Sequence, residues 1–172
     1  CRALCEAMIA RGLRLGWVAN SRADLDYETM VLMHKAGCRE LCVGFESGNQ
    51  EVLDAISKKM TVSSERRFMQ DARRAGILIH GCFMVGFPGE TRAGMDQTLA
   101  LALELAPDTA QFYPVMVYPG TRAYEQFRTG GLLTTEDYTR WLTPDGLHNC
   151  VTRTGTMEPE DLVRFCDDAR RR

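Results

Sequence analysis

The chain has 172 residues, 45% hydrophobic and 26% charged, with a formal net charge of −2 and an isoelectric point near 6.0. That is enough apolar chain for a domain with a real core, and the near-neutral balance argues against a basic nucleic-acid footprint. No apolar run approaches the roughly 20 residues that span a bilayer, and no signal peptide opens the chain, so the expectation is a cytoplasmic protein.

In chain order, residues 2–11 read as a helix and 13–19 (LRLGWVA) as a strand running into Asn20, Ser21 and Arg22. Asp26 caps a helix over 27–36, with Tyr27, Met30, Met33 and Ala36 facing a sheet. A strand over 40–45 follows, then a short helix from about 49 to 57 and a longer one over 62–75, with Phe68, Met69, Ala72 and Ala75 inward. A strand over 77–86 ends in the turn Gly86-Phe87-Pro88-Gly89, and Thr91 caps a helix carrying the apolar stripe Met95, Leu99, Leu103 and Ala106. A strand over 109–117 ends in Tyr118-Pro119-Gly120-Thr121 and leads to a helix over 122–129. Beyond Gly130-Gly131 the rhythm fades: 132–157 reads as an irregular extension and 159–171 as a closing helix. Residues 1–130 are therefore expected as one unit and 131–172 as a C-terminal extension.

Three segments share one layout: Gly12-LRLGWVA-NSRAD, Gly37-CRELCVGF-ESGNQ and Gly76-ILIHGCFMVGF-PGET. Each is a glycine at a helix C′ position, a short apolar strand and a polar loop. Alternating helix and strand predicts right-handed βαβ units, parallel strands and polar loops gathered on one rim, where α/β barrels carry their sites. The expected class is α/β, a partial TIM-type (β/α) barrel. Four strands fall short of a complete (β/α)₈ barrel of about 250 residues, so the chain reads as a C-terminal half whose N-terminal half lies elsewhere. An exposed edge at the 13–19 strand would then seek a partner, a second copy or a covering segment.

The seven cysteines read as reduced. Cys1-x3-Cys5 falls one residue short of CxxxCxxC, and a helical stripe of Leu4, Cys5, Met8 and Ile9 explains it more simply. Cys38 and Cys42 read as strand packing. His80 and Cys82 share a strand face that two metal ligands can use, but a pair without a third ligand reads as packing, so no metal ligand is assigned.

The strings GFESGNQEVLDAISK (44–58), HGCFMVGFPGET (80–91) and QFYPVMVYPGT (111–121), in this order and spacing, resemble the radical S-adenosylmethionine (SAM) superfamily. The likeness is strongest to members with a cobalamin-binding domain, such as those associated with hopanoid biosynthesis, and covers about residues 1–130. It implies a partial barrel in which a [4Fe–4S] cluster, held by three cysteines, cleaves SAM reductively to a 5′-deoxyadenosyl radical. That cysteine motif is not in these residues, so the chain is expected to supply the distal part of the cofactor pocket, with cluster ligands outside it and cobalamin on an upstream domain. The reaction implied is radical generation with C-methylation of a small-molecule substrate, and the 172 residues alone are expected to be inactive.

By this resemblance Glu46 and Ser47 meet the methionyl or ribose part of SAM, and Lys58, twelve residues on, its carboxylate. Ser21 and Arg22 are further donors to an anion. Gly86, Pro88 and Gly89, in the turn with Glu90 and Thr91, are expected to admit adenine against the backbone, with Val115 offering backbone contacts beyond it. Glu46, Arg22 and the 86–91 turn are expected to line one concave pocket. His148, Asn149 and Cys150 are the candidates for substrate choice. Two other function classes stand beside this reading: a barrel hydrolase with Glu46 and Glu90 as paired carboxylates, about 5–9.5 Å apart in a glycosidase, and a non-catalytic α/β binding module.

Overall fold

A computed structural model describes residues 1–172. The chain forms α1 (Arg2–Ala10), β1 (Trp17–Arg22), α2 (Tyr27–Lys35), β2 (Cys38–Glu46), α3 (Gln50–Ala55), α4 (Val62–Ala75), β3 (Leu78–Val85), α5 (Arg92–Leu105), β4 (Thr109–Pro114), α6 (Arg122–Thr129) and α7 (Pro159–Ala169). All four strands are parallel, in the order β1-β2-β3-β4. This is the partial α/β barrel the alternation predicts.

Local chemistry fixes most helix ends. Asp26 accepts from the Thr29 amide at 2.8 Å, Thr61 and Ser64 form a reciprocal capping box on α4, and Thr91 and Thr121 cap α5 and α6. Gly37, just past α2, is left-handed at φ 100°, and a Cβ on it would stand 1.9 Å from the Leu15 carbonyl oxygen, so only glycine lets the chain pass there.

Strand alternation divides the sheet into two faces. One carries Leu41, Val43, Phe45, Ile79, Phe83, Val85 and Phe112, all buried under the helices. Phe45, Phe83 and Phe112 stack across three strands with centroids 5.4 and 5.2 Å apart, and Phe68 of α4 meets Phe45 edge-on. Leu162, Phe165, Cys166 and Ala169 of α7 join this same core, so the closing helix packs with the barrel. A smaller cluster of Phe87, Val115, Val117, Tyr124, Phe127, Trp141 and Val151 fastens α6 and the extension to the rim. The other face presents Asn20, Arg22, Cys42, Gly44, Glu46, His80, Cys82, Gln111 and Tyr113, none of them buried.

Four expectations need correcting. The first strand runs over Trp17–Arg22 and not 13–19: its ladder begins where Trp17 donates to the Gly37 carbonyl, and Leu13 and Leu15 have no strand beside them and stay exposed. In α1 only Cys5 and Met8 turn inward; Leu4 and Ile9 are exposed, because the helix leans chiefly on α2 and one narrow stripe suffices. The buried face of α5 is Met95, Thr98, Leu101, Ala102 and Leu105, leaving Leu103 exposed, while Ala106 is no stripe residue but the left-handed C-cap at φ 42°. Cys42 is not packed like Cys38; it lies half-buried on the open face.

Candidate functional site

Three left-handed non-glycine residues converge at the carboxyl end of β2: Glu46 (φ 66°), Ser57 (φ 56°) and Lys59 (φ 55°). Each such position costs about 1–3 kcal/mol and persists only where its surroundings hold it. The β2–β3 register shifts between Gly44 and Glu46, and this bulge turns the Glu46 carboxylate back over the strand. Ser57 and Lys59 flank Lys58 and aim it at the same place. Lys58 Nζ donates to Glu46 Oε1 at 2.5 Å, with the two side chains only 14% and 19% exposed. Gly44 makes the room: a Cβ there would lie 2.4 Å from Glu46 Oε1 and 3.2 Å from Lys58 Nζ. The ion pair thus lies flat on the open face of the sheet. Arg22 joins it, its Nη2 donating to the Lys58 carbonyl at 2.5 Å and its Nε to Asp24 at 2.9 Å.

A residue absent from the sequence reading completes this cluster. Glu65, in the first turn of α4, is fully buried, and neither carboxylate oxygen has a hydrogen-bond partner. Burial pushes its pKa up to about 8; Lys58 pulls it down and Glu46 pushes it further up. At neutral pH it is a protonated acid that feels both members of the ion pair. A glutamate in a first turn reads as a partner of the helix dipole, so no local signal distinguishes it.

The remaining predicted residues lie apart from this cluster. Ser21 occupies the opposite strand alternation, paired in register with Val43, and its hydroxyl donates to the Arg22 carbonyl. Ser47 is buried against Thr98, 3.2 Å between hydroxyl oxygens, and accepts from the Asn49 amide, which fixes the entry into α3. Gly86 is left-handed, but the close approach it allows is taken by Leu162, 2.7 Å from where a Cβ would stand. The Val115 amide donates to Val85 and its carbonyl accepts from Thr152, so both backbone groups are engaged within the chain.

Pro88 and Gly89 do line a cavity, of about 710 Å³, between α3, the 87–91 turn and α6. Asn49, Val52, Ile56 and Arg122 wall it; Glu46 and Arg22 do not, so the single pocket expected for all of them is two neighbouring features. Glu90 closes the turn: its Oε2 accepts from the Gly86 and Phe87 amides at 2.7 and 3.1 Å. Burial raises its pKa, and those two donors lower it. A paired-carboxylate hydrolase finds no support here, because Glu46 is committed to Lys58 and Glu90 to its own turn. Asn149 and Cys150 line a second cavity of about 580 Å³ with Thr134, Arg140, Glu158 and Arg164, whereas His148 does not.

Deeper on the open face, Cys42, His80 and Cys82 bring one ligand atom each to within 4.8 Å of the others. Burial, then the Cys42 hydrogen bond, pushes the Cys82 thiol up to about 12. The pair read from sequence as packing is therefore a trio, completed across the β2–β3 register by the strand alternation of Cys42.

The sequence model of the radical SAM superfamily matches residues 2–102. An uncharacterised methyltransferase of Pyrococcus horikoshii is 33% identical over 135 residues, covering 78% of this chain and 29% of that protein. The anaerobic magnesium-protoporphyrin IX monomethyl ester cyclase of Cereibacter sphaeroides is 31% identical over 165 residues, 93% of this chain and 25% of the cyclase. The structure of the radical SAM methyltransferase TsrM from Kitasatospora setae, with cobalamin and a [4Fe–4S] cluster bound, superposes with a TM-score of 0.68 at 21% identity, over 78% of this chain and 27% of TsrM. The chain spans about a quarter of the length of the curated relatives it matches.

Proposed function

The chain belongs to the radical SAM superfamily, and within it we propose that these residues form the distal, SAM-holding part of the barrel, with Glu46 and Lys58 gripping the amino-acid end of the cofactor. The observation that carries this reading is the ion pair itself, laid across Gly44 by three left-handed residues at a strand carboxyl end. SAM presents an ammonium and a carboxylate on one carbon. Glu46 accepts from the first and Lys58 donates to the second, so the pair exchanges its internal partner for two external ones of the same charges. Because the backbone already fixes both side chains, little ordering remains to oppose binding. Arg22, holding the Lys58 carbonyl, keeps the loop in register. Glu65, neutral, adds no net charge beneath a matched pair. Ser47 and Ser21 act in this reading by holding the strand ends, and Pro88 and Gly89 wall the side where the adenine would lie.

When bound, SAM supplies the radical chemistry of the family. The cluster does not fit this chain's residues: Cys1 is exposed, Cys5 is buried, and the one grouping of three ligands contains two thiols and an imidazole. No step here runs through a cluster; its cysteines belong, in this proposal, to a further part of the protein. The same holds for cobalamin and for C-methylation, for which the support is the company of methyltransferases among the relatives. The free β1 edge of the sheet is where a further barrel strand would pair.

Calorimetric titration of SAM into the full natural-length protein, prepared anaerobically, tests this. Glu46→Gln and Lys58→Met should each weaken binding by about 10-fold or more, as for loss of a charge-assisted hydrogen bond, with Glu104→Gln, at an exposed partner of Arg66, near wild type. Unchanged affinity in both site variants sinks the assignment.

A further inference from the structure

The open face carries a second constellation that the SAM reading leaves unused. Cys42, His80 and Cys82 stand on adjacent parallel strands: Cys42 is the register partner of His80, and Cys82 follows His80 on the same face. The two sulfurs are 3.5 Å apart. Two thiolates on one tetrahedral zinc ion, each bonded at about 2.3 Å, stand about 3.8 Å apart, so the thiols are already near that spacing. The imidazole nitrogen completes a triangle whose corners all lie within 4.8 Å. His80 Nδ1 is held 2.7 Å from the Thr109 hydroxyl on β4, which orients the ring and leaves the other nitrogen free; a histidine ligand is typically anchored in this way through its second nitrogen. None of the three is buried or sealed, and Gly44, the register partner of Cys82, brings no side chain between the thiols and the lumen. Over that glycine lie Glu46 and Lys58, paired with each other, so the ion pair brings no unmatched charge to the thiols.

The geometry points to a three-ligand site for a divalent metal of the zinc class, formed by Cys42, His80 and Cys82, with its fourth position open to the lumen of the barrel. Binding replaces two S–H bonds by two metal–sulfur bonds and one lone pair on nitrogen by a metal–nitrogen bond. Two protons leave to solvent, and no electron moves. Two thiolates and an imidazole suit zinc, or cobalt in its place, rather than magnesium or calcium, which take oxygen ligands. Three protein ligands with an open fourth position match zinc sites that bind or polarise a small molecule rather than closed structural sites. The site is independent of the SAM assignment, since none of its ligands is Glu46 or Lys58.

The full natural-length protein, purified anaerobically and freed of adventitious zinc by mild chelation, should be titrated with Co²⁺ while its absorption is recorded and its iron content measured in parallel. The expected result is about one equivalent bound tightly, with a thiolate-to-cobalt charge-transfer band and the visible bands of tetrahedral cobalt, reversed by Zn²⁺. Cys42→Ser, Cys82→Ser and His80→Ala should each abolish stoichiometric binding, with Cys1→Ser retaining it. Should the serine variants fold poorly, the wild-type spectrum decides: a charge-transfer intensity of two thiolates supports the site. A wild-type protein with no such band, or with octahedral cobalt bands only, overturns it, as does a band that survives Cys42→Ser in a folded protein. SAM affinity, measured on the same samples, separates failure of this site from failure of the ion-pair assignment.

Discussion

The two faces of one sheet are built from alternate residues of the same strands, yet they obey opposite rules. The covered face is dominated by apolar side chains: Phe45, Phe83 and Phe112 stack, and helices α2, α4, α5 and α7 close over them. The open face tolerates what the core forbids, including an ion pair on a bulged strand, left-handed residues beside it, and two thiols beside an imidazole. Stability is concentrated on one side and chemistry on the other, and the boundary between them is a single strand thickness. Glu65 is the exception that crosses it, a carboxyl group buried on the stabilising side whose charge state responds to Lys58 and Glu46 on the chemical side.

The contrast breaks most visibly in the aromatic stack. Phe83→Ala should cost about 3–5 kcal/mol in chemical denaturation, as for a large core truncation, against less than about 0.5 kcal/mol for Val18→Thr on the exposed first strand. Comparable losses from the two would mean that the open face is packed in solution.

A smaller effect, dependent on pH, is expected at Glu65. Its folded pKa of about 8 lies above its ordinary value of 4.5, so the folded state holds a proton the unfolded state has released. The stability it allows is therefore full below about pH 4.5 and declines as pH rises toward 8. Glu65→Gln should flatten this decline and leave the variant more stable at pH 8, by on the order of 3 kcal/mol. Melting curves recorded across that pH range check it; a wild-type protein that gains stability over the same interval contradicts the sign.

Gly44→Ala tests the ion pair with less collateral damage. Its Cβ would collide with the end of the Glu46 side chain, which can swing aside, so stability should fall by about 1 kcal/mol. SAM binding should fall further than stability, because the displaced carboxylate is the proposed ligand. Equal effects on both would reduce the pair to a structural feature.

The smallest expected change concerns the sheet edges. β4 is flanked by α7, and Arg170, the residue after that helix, donates to the Phe112 carbonyl at 2.7 Å, whereas β1 is the other end of the sheet, with Val18 69% exposed. Val18→Lys should leave stability within about 0.5 kcal/mol and suppress any self-association seen by sedimentation. Association that persists in the variant would place the contact elsewhere.

How legible each element was follows from how local its cause is. The helix limits at 62–75 and 122–129 coincide with α4 and α6, because Thr61, Gly76 and Thr121 cap them with nearby side chains and backbone. The 13–19 strand was displaced toward its carboxyl end because a ladder begins where a neighbour strand begins, and that is not written in the strand itself. Glu46, Lys58 and Arg22 could each be named from position, but their assembly depends on a bulge and on Gly44. Cys42 and Cys82 lie forty residues apart and meet only through parallel register.

The amino-acid sequence by itself determined the alternation of elements, the parallel sense of the sheet, the caps and the rim on which polar residues gather, since these follow from hydrophobic period and short-range hydrogen bonding. Tertiary structure alone decided which face each strand residue takes beyond a bulge, that Glu65 is stranded without a partner, and that three strand residues form a ligand triangle. Register and burial are set by pairing between distant segments, and a one-residue shift in either reassigns every side chain it touches.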